Sequence, residues 1–497
     1  MKHITKKTIF IAILTLGLSV IMDYCTCSDN YFMIAHGKDI LENGPWRATD
    51  IFSMHQDFAF LHQKWIMCIA AYSLYKYLGT LGLKIGAYIL GVILYGTLFY
   101  LSQKLCPKYE YIMTTVCTLF IFPIAILGSF RPHMIGMTLT AIEIYLIERY
   151  INQKLSSKHL VFYLVITSVI WMWCHSTMWI LCLIYMLPYI CNIKINNCIT
   201  KADYNKKPLI IGFISVMISS LLQPNGWKQI PYMIACTTAT DKRYRMCVDE
   251  LNPLTPADQR FVFLILGLGL FVILWIKLKQ IRTEHALLIG GSVIMSIMSK
   301  RMVMYLFCVI IIISAILINE LPDDDPQIAK LKSKSTTILT IIINTTVMIF
   351  MVVTMIFMQH FIPSDHQTRG YYAIDMIKEH AGDQYTTYFT NIADNGSYGI
   401  MLGLHPYIDC RMETYDIKVN KQKDILSEYI DFIGKVVEHK DDPTDVILSM
   451  QNKYKFDYWI INKYNNISDL IINTLKQNAN CVYEDDKFVI ISFNHKW

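Results

Sequence analysis

Up to about residue 360 the apolar positions run in long blocks broken by short polar stretches; beyond it they alternate with polar ones. Stretches of roughly 17–25 mostly apolar residues are long enough to cross a bilayer as helices. Eleven approximate candidates stand at 7–23, 80–102, 111–128, 132–148, 159–174, 177–193, 208–223, 260–276, 284–299, 302–319 and 336–359. The first follows MKHITKK, which has the charge of a signal-peptide leader. No small-residue cleavage site comes after it and ten further blocks do, so the pattern predicts an uncleaved anchor.

The polar connections set an orientation. With the N-terminus in the cytoplasm, the inside loops carry Lys104 and Lys108; Arg149, Lys154 and Lys158; Lys194, Lys201, Lys206 and Lys207; Lys277, Lys279 and Arg282; and Lys330, Lys332 and Lys334. Each inside loop is basic, as the positive-inside rule requires. An odd number of spans then places the last 137 residues outside the membrane.

The first outside loop, 24–79, is long and patterned. From Asp29, apolar Tyr31, Phe32, Ile34, Ala35, Ile40 and Leu41 recur at helical spacing until Gly44-Pro45. A second apolar stretch runs from Phe58 to Leu78, interrupted by His62, Gln63 and Lys64. Both predict helices lying in the membrane interface. After Pro363 the pattern predicts helices at 370–381, 424–439, 443–453 and 467–477. Strands fall at 385–389, around 400–410 and at 456–461, with a closing hairpin from Cys481. Together these make a small α/β domain.

Composition sharpens the division. Of 497 residues, 54% are hydrophobic and 17% charged, against about 45–50% and about 25% in soluble domains. Residues 361–497 carry 20 acidic and 14 basic residues; the first 360 carry 19 and 31. A soluble enzyme, a disordered chain and a small secreted scaffold are all excluded. The reading is a mainly α polytopic transmembrane bundle, residues 1–360, with an extracytoplasmic α/β domain, 361–497. The net charge is +12 before Phe361 and −6 after it. No basic stretch is interleaved with aromatics on a soluble surface, so nucleic acid is not a predicted partner.

Ionisable residues gather at the outside ends of the spans: Arg131, His133, His175, Lys300 and Arg301. Such groups near membrane depth tend to be functional, although any one of them can snorkel to the headgroups. Asp29 and Asp50, in the first loop, can share a divalent cation or divide base and positioning roles. Equally, Asp29 reads as a helix cap behind Ser28 and Asp50 as a turn residue. Cys236 with Cys247, and Cys410 with Cys481, are candidate disulfides in an oxidising exterior. The NADNGS segment invites a nucleotide-loop reading that its single Gly-x-x-Gly supports only weakly, and the charges of Asp409-Cys410-Arg411-Met412-Glu413 at a strand end suit either contact with the acceptor or the transmembrane site, or a structural ion pair.

The run D-N-Y-F-M-I-A-H-G-K-D-I-L-E-N-G, then T-D-I-F-S and Q-K-W, resembles the first-loop pattern of bacterial polytopic proteins of the C-type glycosyltransferase (GT-C) superfamily. The likeness continues in order through F-R-P-H (130–133), His175, Q-P-N-G-W (223–227), K-R-M (300–302), N-G-S-Y-G (395–399), Y-I-D-C-R-M-E-T-Y (407–415) and K-F-D-Y-W-I-I (455–461). In one respect the chain departs from the family: Asn30 and Tyr31 follow the first Asp, and the histidine comes only at His36.

The resemblance implies a sugar donor carried on a polyprenyl phosphate or diphosphate, used at the outer membrane face. The acceptor is an unknown glycan, lipid or protein, and the lipid bilayer itself is a partner. Asp29 would then be the base or a metal-associated carboxylate and Asp50 the second carboxylate, with Mg or Mn as the possible divalent cation. Arg131, Lys300 and Arg301 would stabilise the departing phosphate, Arg as a bidentate fork, with His133 and His175 beside them. A transporter or flippase for lipid-linked glycans is the alternative from another class. It predicts internal repeats and mid-membrane charges, which the sequence does not display. A non-catalytic scaffold of cell-surface glycan assembly is the third reading.

Overall fold

The structure, a computed structural model, describes residues 6–20, 28–126, 128–191, 199–200, 203–238, 245, 248–322, 333–361, 370–439, 442–463 and 466–493. Lys194, Lys201, Lys330, Lys332 and Cys247 lie outside the described residues. The chain divides into two compact units, with one boundary between Phe361 and Ile362 and two further segments, Cys25–Leu83 and Lys228–Val248, grouped with the C-terminal part. The first comprises Met1–Tyr24, Lys84–Trp227 and Asp249–Phe361; the second, Cys25–Leu83, Lys228–Val248 and Ile362–Trp497.

The first unit is helical. Each of the eleven apolar blocks carries a helix: Lys6–Val20, Trp65–Leu105 (in this unit from Lys84 on), Glu110–Ile126, His133–Ile151, Ser157–His175, Ile180–Ile190, Lys207–Ser219, Arg260–Leu278, Thr283–Met298, Met302–Asn319 and Lys334–Phe361. Among the described residues, four helices are long and apolar enough to cross a membrane: Trp65–Leu105, Ser157–Met178, Arg260–Leu278 and Met302–Asn319. Met302–Asn319 is apolar all round and buried on every face, as a central helix must be. It packs against Glu110–Ile126, His133–Ile151, Arg260–Leu278 and Thr283–Met298. A short parallel pairing of β1 (Ile199–Thr200) with β2 (Ile281–Arg282) joins two connections. Beside it, buried Glu148 accepts from Tyr189 Oη at 2.9 Å, meets His285 Nε2 at 3.0 Å and pairs with Arg282 Nη2 at 2.5 Å. A buried carboxylate is tolerated when it is matched in this way.

The second unit contains a five-stranded sheet in the order β4-β3-β5-β7-β6. Its strands are β3 (Thr387–Thr390), β4 (His405–Pro406), β5 (Tyr458–Asn462), β6 (Asn480–Glu484) and β7 (Phe488–Ser492). β3 runs parallel to β4 and β5, and β7 antiparallel to β5 and β6. Tyr388, Tyr458, Ile460, Phe488 and Ile490 form its core with Ile374 and Ile377 of the helix Tyr371–Ala381. Gly370 precedes that helix at φ +69°, and a Cβ there would lie 2.1 Å from the Phe488 ring, so both backbone and space call for glycine.

The first loop folds with this sheet. The helix Ser28–Asn43 stops before Gly44, and it packs on a helix at Ala393–Met401. Two expectations change here. The stretch Phe58–Leu78 is not a separate interfacial helix: from Trp65 it belongs to the 41-residue helix Trp65–Leu105, interrupted in backbone angle only at Gly79. The polar His62, Gln63 and Lys64 lie just before that helix begins. The N-G-S-Y-G segment is no phosphate loop but the middle of Ala393–Met401, and its glycines serve close approach. A Cβ on Gly396 would lie 2.0 Å from the Ile408 carbonyl oxygen, and one on Gly399 1.9 Å from the Tyr388 hydroxyl. Cys410 and Cys481 are both free thiols, not a bridge.

Candidate functional site

In the first unit, the motifs F-R-P-H and K-R-M meet around one acidic segment. Arg131 stands in the turn before His133–Ile151, its backbone N–H bonded to the Ser129 carbonyl at 2.7 Å. Lys300 and Arg301 occupy the turn between Thr283–Met298 and Met302–Asn319. Their backbone N–H groups bond to the carbonyls of Asn252 at 2.9 Å and Glu250 at 3.0 Å, which fastens this turn to the segment ahead of Arg260.

The side chains follow the backbone. Arg131 pairs with Glu250 Oε1, and Arg301 reaches Glu250 Oε2 through Nε at 3.2 Å and Nη2 at 3.1 Å. Lys300 Nζ lies 2.7 Å from Asp249 Oδ1 and 3.9 Å from Asp258, which also pairs with Arg260. Burial opposes ionisation of Glu250, but Arg131, Arg301 and His133 outweigh it and hold the carboxyl well below its ordinary range. Among the described residues, Arg131, Arg301, Lys300 and Arg260 face Glu250, Asp249 and Asp258 here. The structure thus brings Arg131, His133 and Arg301 together on Glu250, with Lys300 joined through Asp249. The fifth candidate, His175, closes the helix Ser157–His175, where the backbone swings to φ −159°, ψ 75° and enters a short turn. Glu250, the hub, was invisible in the sequence because nothing local marks it as the partner of Arg131, 119 residues away.

In the second unit, Asp29 lies in the first turn of Ser28–Asn43, half-buried. Asp50 is fully buried and engaged. Arg411 Nη1 donates to its Oδ1 at 2.8 Å and Nη2 to its Oδ2 at 3.3 Å. The Ser53 hydroxyl donates to Oδ2 at 2.6 Å, and the Phe52 N–H to Oδ1 at 3.2 Å. Burial would raise the carboxyl, but Arg411 overcomes it and holds Asp50 below the ordinary range. The same guanidinium binds Asp409 at 2.9 and 2.7 Å and lies over the Phe52 and Phe60 rings. Asp409 also accepts from the Tyr415 hydroxyl. T-D-I-F-S and Y-I-D-C-R are therefore two halves of one buried ion-pair cluster.

Beside it, Asp39 is gripped by Arg47 and Asn43, with His62 at 3.6 Å. His36 sits among Phe32, Phe52, Phe60 and His62; burial, helped by Arg411, keeps it neutral. Burial likewise pushes His55 down to about 4, its ring 3.0 Å from the Tyr407 carbonyl. None of these groups is the histidine neighbour that the resemblance associates with the first Asp.

Among the described residues, no group of three His, Cys, Asp or Glu side chains is arranged to hold a metal ion. The Asp29–Asp50 pair does not fit a divalent cation either. Both oxygens of Asp50 are already taken by Arg411, Ser53 and the Phe52 N–H. What Asp50 does is tie the first loop to the tail of the chain.

No family model and no curated protein matches the sequence. The fold does match solved structures. ArnT from Cupriavidus metallidurans in the apo state superposes with a TM-score of 0.57 at 9% identity, covering 98% of this chain and 97% of that one. ArnT bound to undecaprenyl phosphate gives 0.53 at 10% identity over the same shares. The chain therefore shares the fold of ArnT, and among the described residues four of its helices are long and apolar enough to cross a membrane.

Proposed function

We propose that this chain, a membrane protein of GT-C-like fold, is a glycosyltransferase that moves a sugar from a polyprenyl-phosphate donor to an acceptor hydroxyl. The observation that carries the reading is the likeness to ArnT over 98% of the chain, one of the matched structures holding undecaprenyl phosphate. The reading assigns all eleven helices to the membrane, the N-terminus to the cytoplasm, and residues 361–497 with the first loop to the outer face.

Asp29 is the base. It takes the proton from the acceptor hydroxyl while that oxygen bonds to the anomeric carbon of the sugar. The bond from that carbon to the phosphate oxygen breaks, and its electron pair leaves with the polyprenyl phosphate. The departing charge requires fixed cations at the membrane surface. The cluster of Arg131, Lys300 and Arg301, held in place by Asp249 and Glu250, is suited to that task. His133 and His175 are assigned to hydrogen bonds with phosphate or sugar.

Mass spectrometry of lipid-linked and surface glycans, with and without the chain, tests the reading. A sugar missing from the surface together with its accumulation on polyprenyl phosphate supports transfer. Identical profiles reject it. Accumulation of the lipid-linked sugar on the cytoplasmic side alone would identify a flippase instead.

A further inference from the structure

Asp50 is consumed by Arg411, yet a different carboxylate stands beside Asp29. The helices Ser28–Asn43 and Ala393–Met401 pack together, and their first turns read Ser-Asp-Asn and Ala-Asp-Asn. Both Asp29 and Asp394 are half-buried. Asp394 contacts the Cys410 sulfur directly, and Asp29 acts on the same thiol through its charge. The Cys410 thiol donates to Asp394 Oδ1 at 3.1 Å, while the Cys410 N–H donates to Ser397 Oγ at 3.1 Å. Burial, then Asp394, then Asp29 push that thiol well above its ordinary range, and the Ser28 hydroxyl also bonds to it.

The neighbouring asparagines are the second observation. Asn30 is 2% exposed and Asn395 wholly buried. Asn30 Oδ1 and both polar atoms of the Asn395 amide have no hydrogen-bond partner among the described residues. Buried amides are almost always bonded to something, so unmatched ones in the same first turns as two carboxylates point to a bound molecule rich in hydroxyls.

Resting on the proposed transfer reaction, we infer that Asp394 is the second carboxylate of the transfer site, accepting a hydrogen bond from a hydroxyl of a polyhydroxylated acceptor next to the one Asp29 deprotonates. Carboxylates and amides are the side chains that hold such hydroxyls. Asp394 moves no proton; it fixes the acceptor's position against the base.

Two measurements on the full chain in its own membranes test this. The first is the alkylation rate of Cys410 by iodoacetamide, followed by peptide mass spectrometry. Asp29→Asn and Asp394→Asn should each speed it severalfold by removing a charge that suppresses the thiolate, while Asp394→Glu should leave it slow. No change in either asparagine variant overturns the convergence of the two carboxylates. The second is the level of polyprenyl-phosphate-linked sugar in cells whose sole copy carries each substitution, with membrane content checked by immunoblot. Loss of one charged hydrogen bond lowers transfer about 10- to 100-fold, so Asp394→Asn should accumulate donor and Asp394→Glu should restore the wild-type level. A merely structural aspartate would tolerate the isosteric asparagine better than the longer glutamate, and that order of variants overturns the inference. Accumulation in Asp29→Asn with a wild-type level in Asp394→Asn also overturns it while the transfer reading stands. A wild-type level in Asp29→Asn removes the reading itself, and the inference with it.

Discussion

Replacing Arg411 with methionine removes the guanidinium that Asp50 and Asp409 share, at a site where Arg411 is 3% exposed and both carboxylates are wholly buried. Methionine keeps the volume and the contact with Phe52 and Phe60, so the change isolates charge. Breaking a buried pair by removing one partner costs about 3–5 kcal/mol, because a bare charge is left behind. Domains have only about 5–15 kcal/mol in hand. The first loop and the tail should therefore separate under mild denaturant, read by hydrogen exchange at the amides of Met54 and Ala59. Those amides bond to the Pro406 and Asn420 carbonyls of the tail in the intact protein.

The pH dependence carries a sign. Asp50 has a folded pKa held below its unfolded value of about 3.9. It contributes stability that is fully present above the unfolded value and is lost as pH falls through the folded one. In Arg411→Met only the Ser53 and Phe52 hydrogen bonds still oppose burial, the larger contribution, so the folded value rises instead. Stability in that variant should then improve as pH is lowered, the reverse of wild type. Adding Asp50→Asn should restore part of the loss. An Arg411→Met protein within 1 kcal/mol of wild type, or one with an unchanged pH slope, refutes the account of this cluster.

Three further outcomes follow from the geometry. Arg301→Ala should raise the KM for a lipid-phosphate donor on the order of tenfold or more, measured by initial rates in vesicles, since it removes a charge-assisted contact. Gly399→Ala should destabilise the second unit by about 1–3 kcal/mol in thermal unfolding, because its Cβ would stand 1.9 Å from the Tyr388 hydroxyl; Tyr388→Phe in the same background should recover part of it. A cysteine placed at Tyr385, 54% exposed, should react with an impermeant maleimide added to intact cells; reaction only after lysis would reverse the proposed orientation.

Much of the helical bundle was legible because apolar blocks long enough to span a bilayer have few alternatives to a helix. The short buried strand at Tyr458–Asn462 was legible as a brief apolar, aromatic and β-branched run too short for a helix. Ala393–Met401 was not: Asn395, Gly396 and Gly399 are poor helix formers, and tertiary packing overrides them by using the missing Cβ atoms for close approach. Nor does spacing along the chain reveal that Asp50 meets Arg411, 361 positions away. The site residues were legible as types at helix ends, Arg131 and Arg301 among them. Their carboxylate partners belong to the fold alone.

The transfer claim itself comes down to turnover in proteoliposomes holding the purified full chain, undecaprenyl-phosphate-linked sugar and an extract of surface glycan acceptors. Wild type should release undecaprenyl phosphate in step with glycosylated acceptor, and Asp29→Asn should be slower by about 10²–10⁴-fold with the same melting temperature. Equal rates for the two proteins would contradict the account.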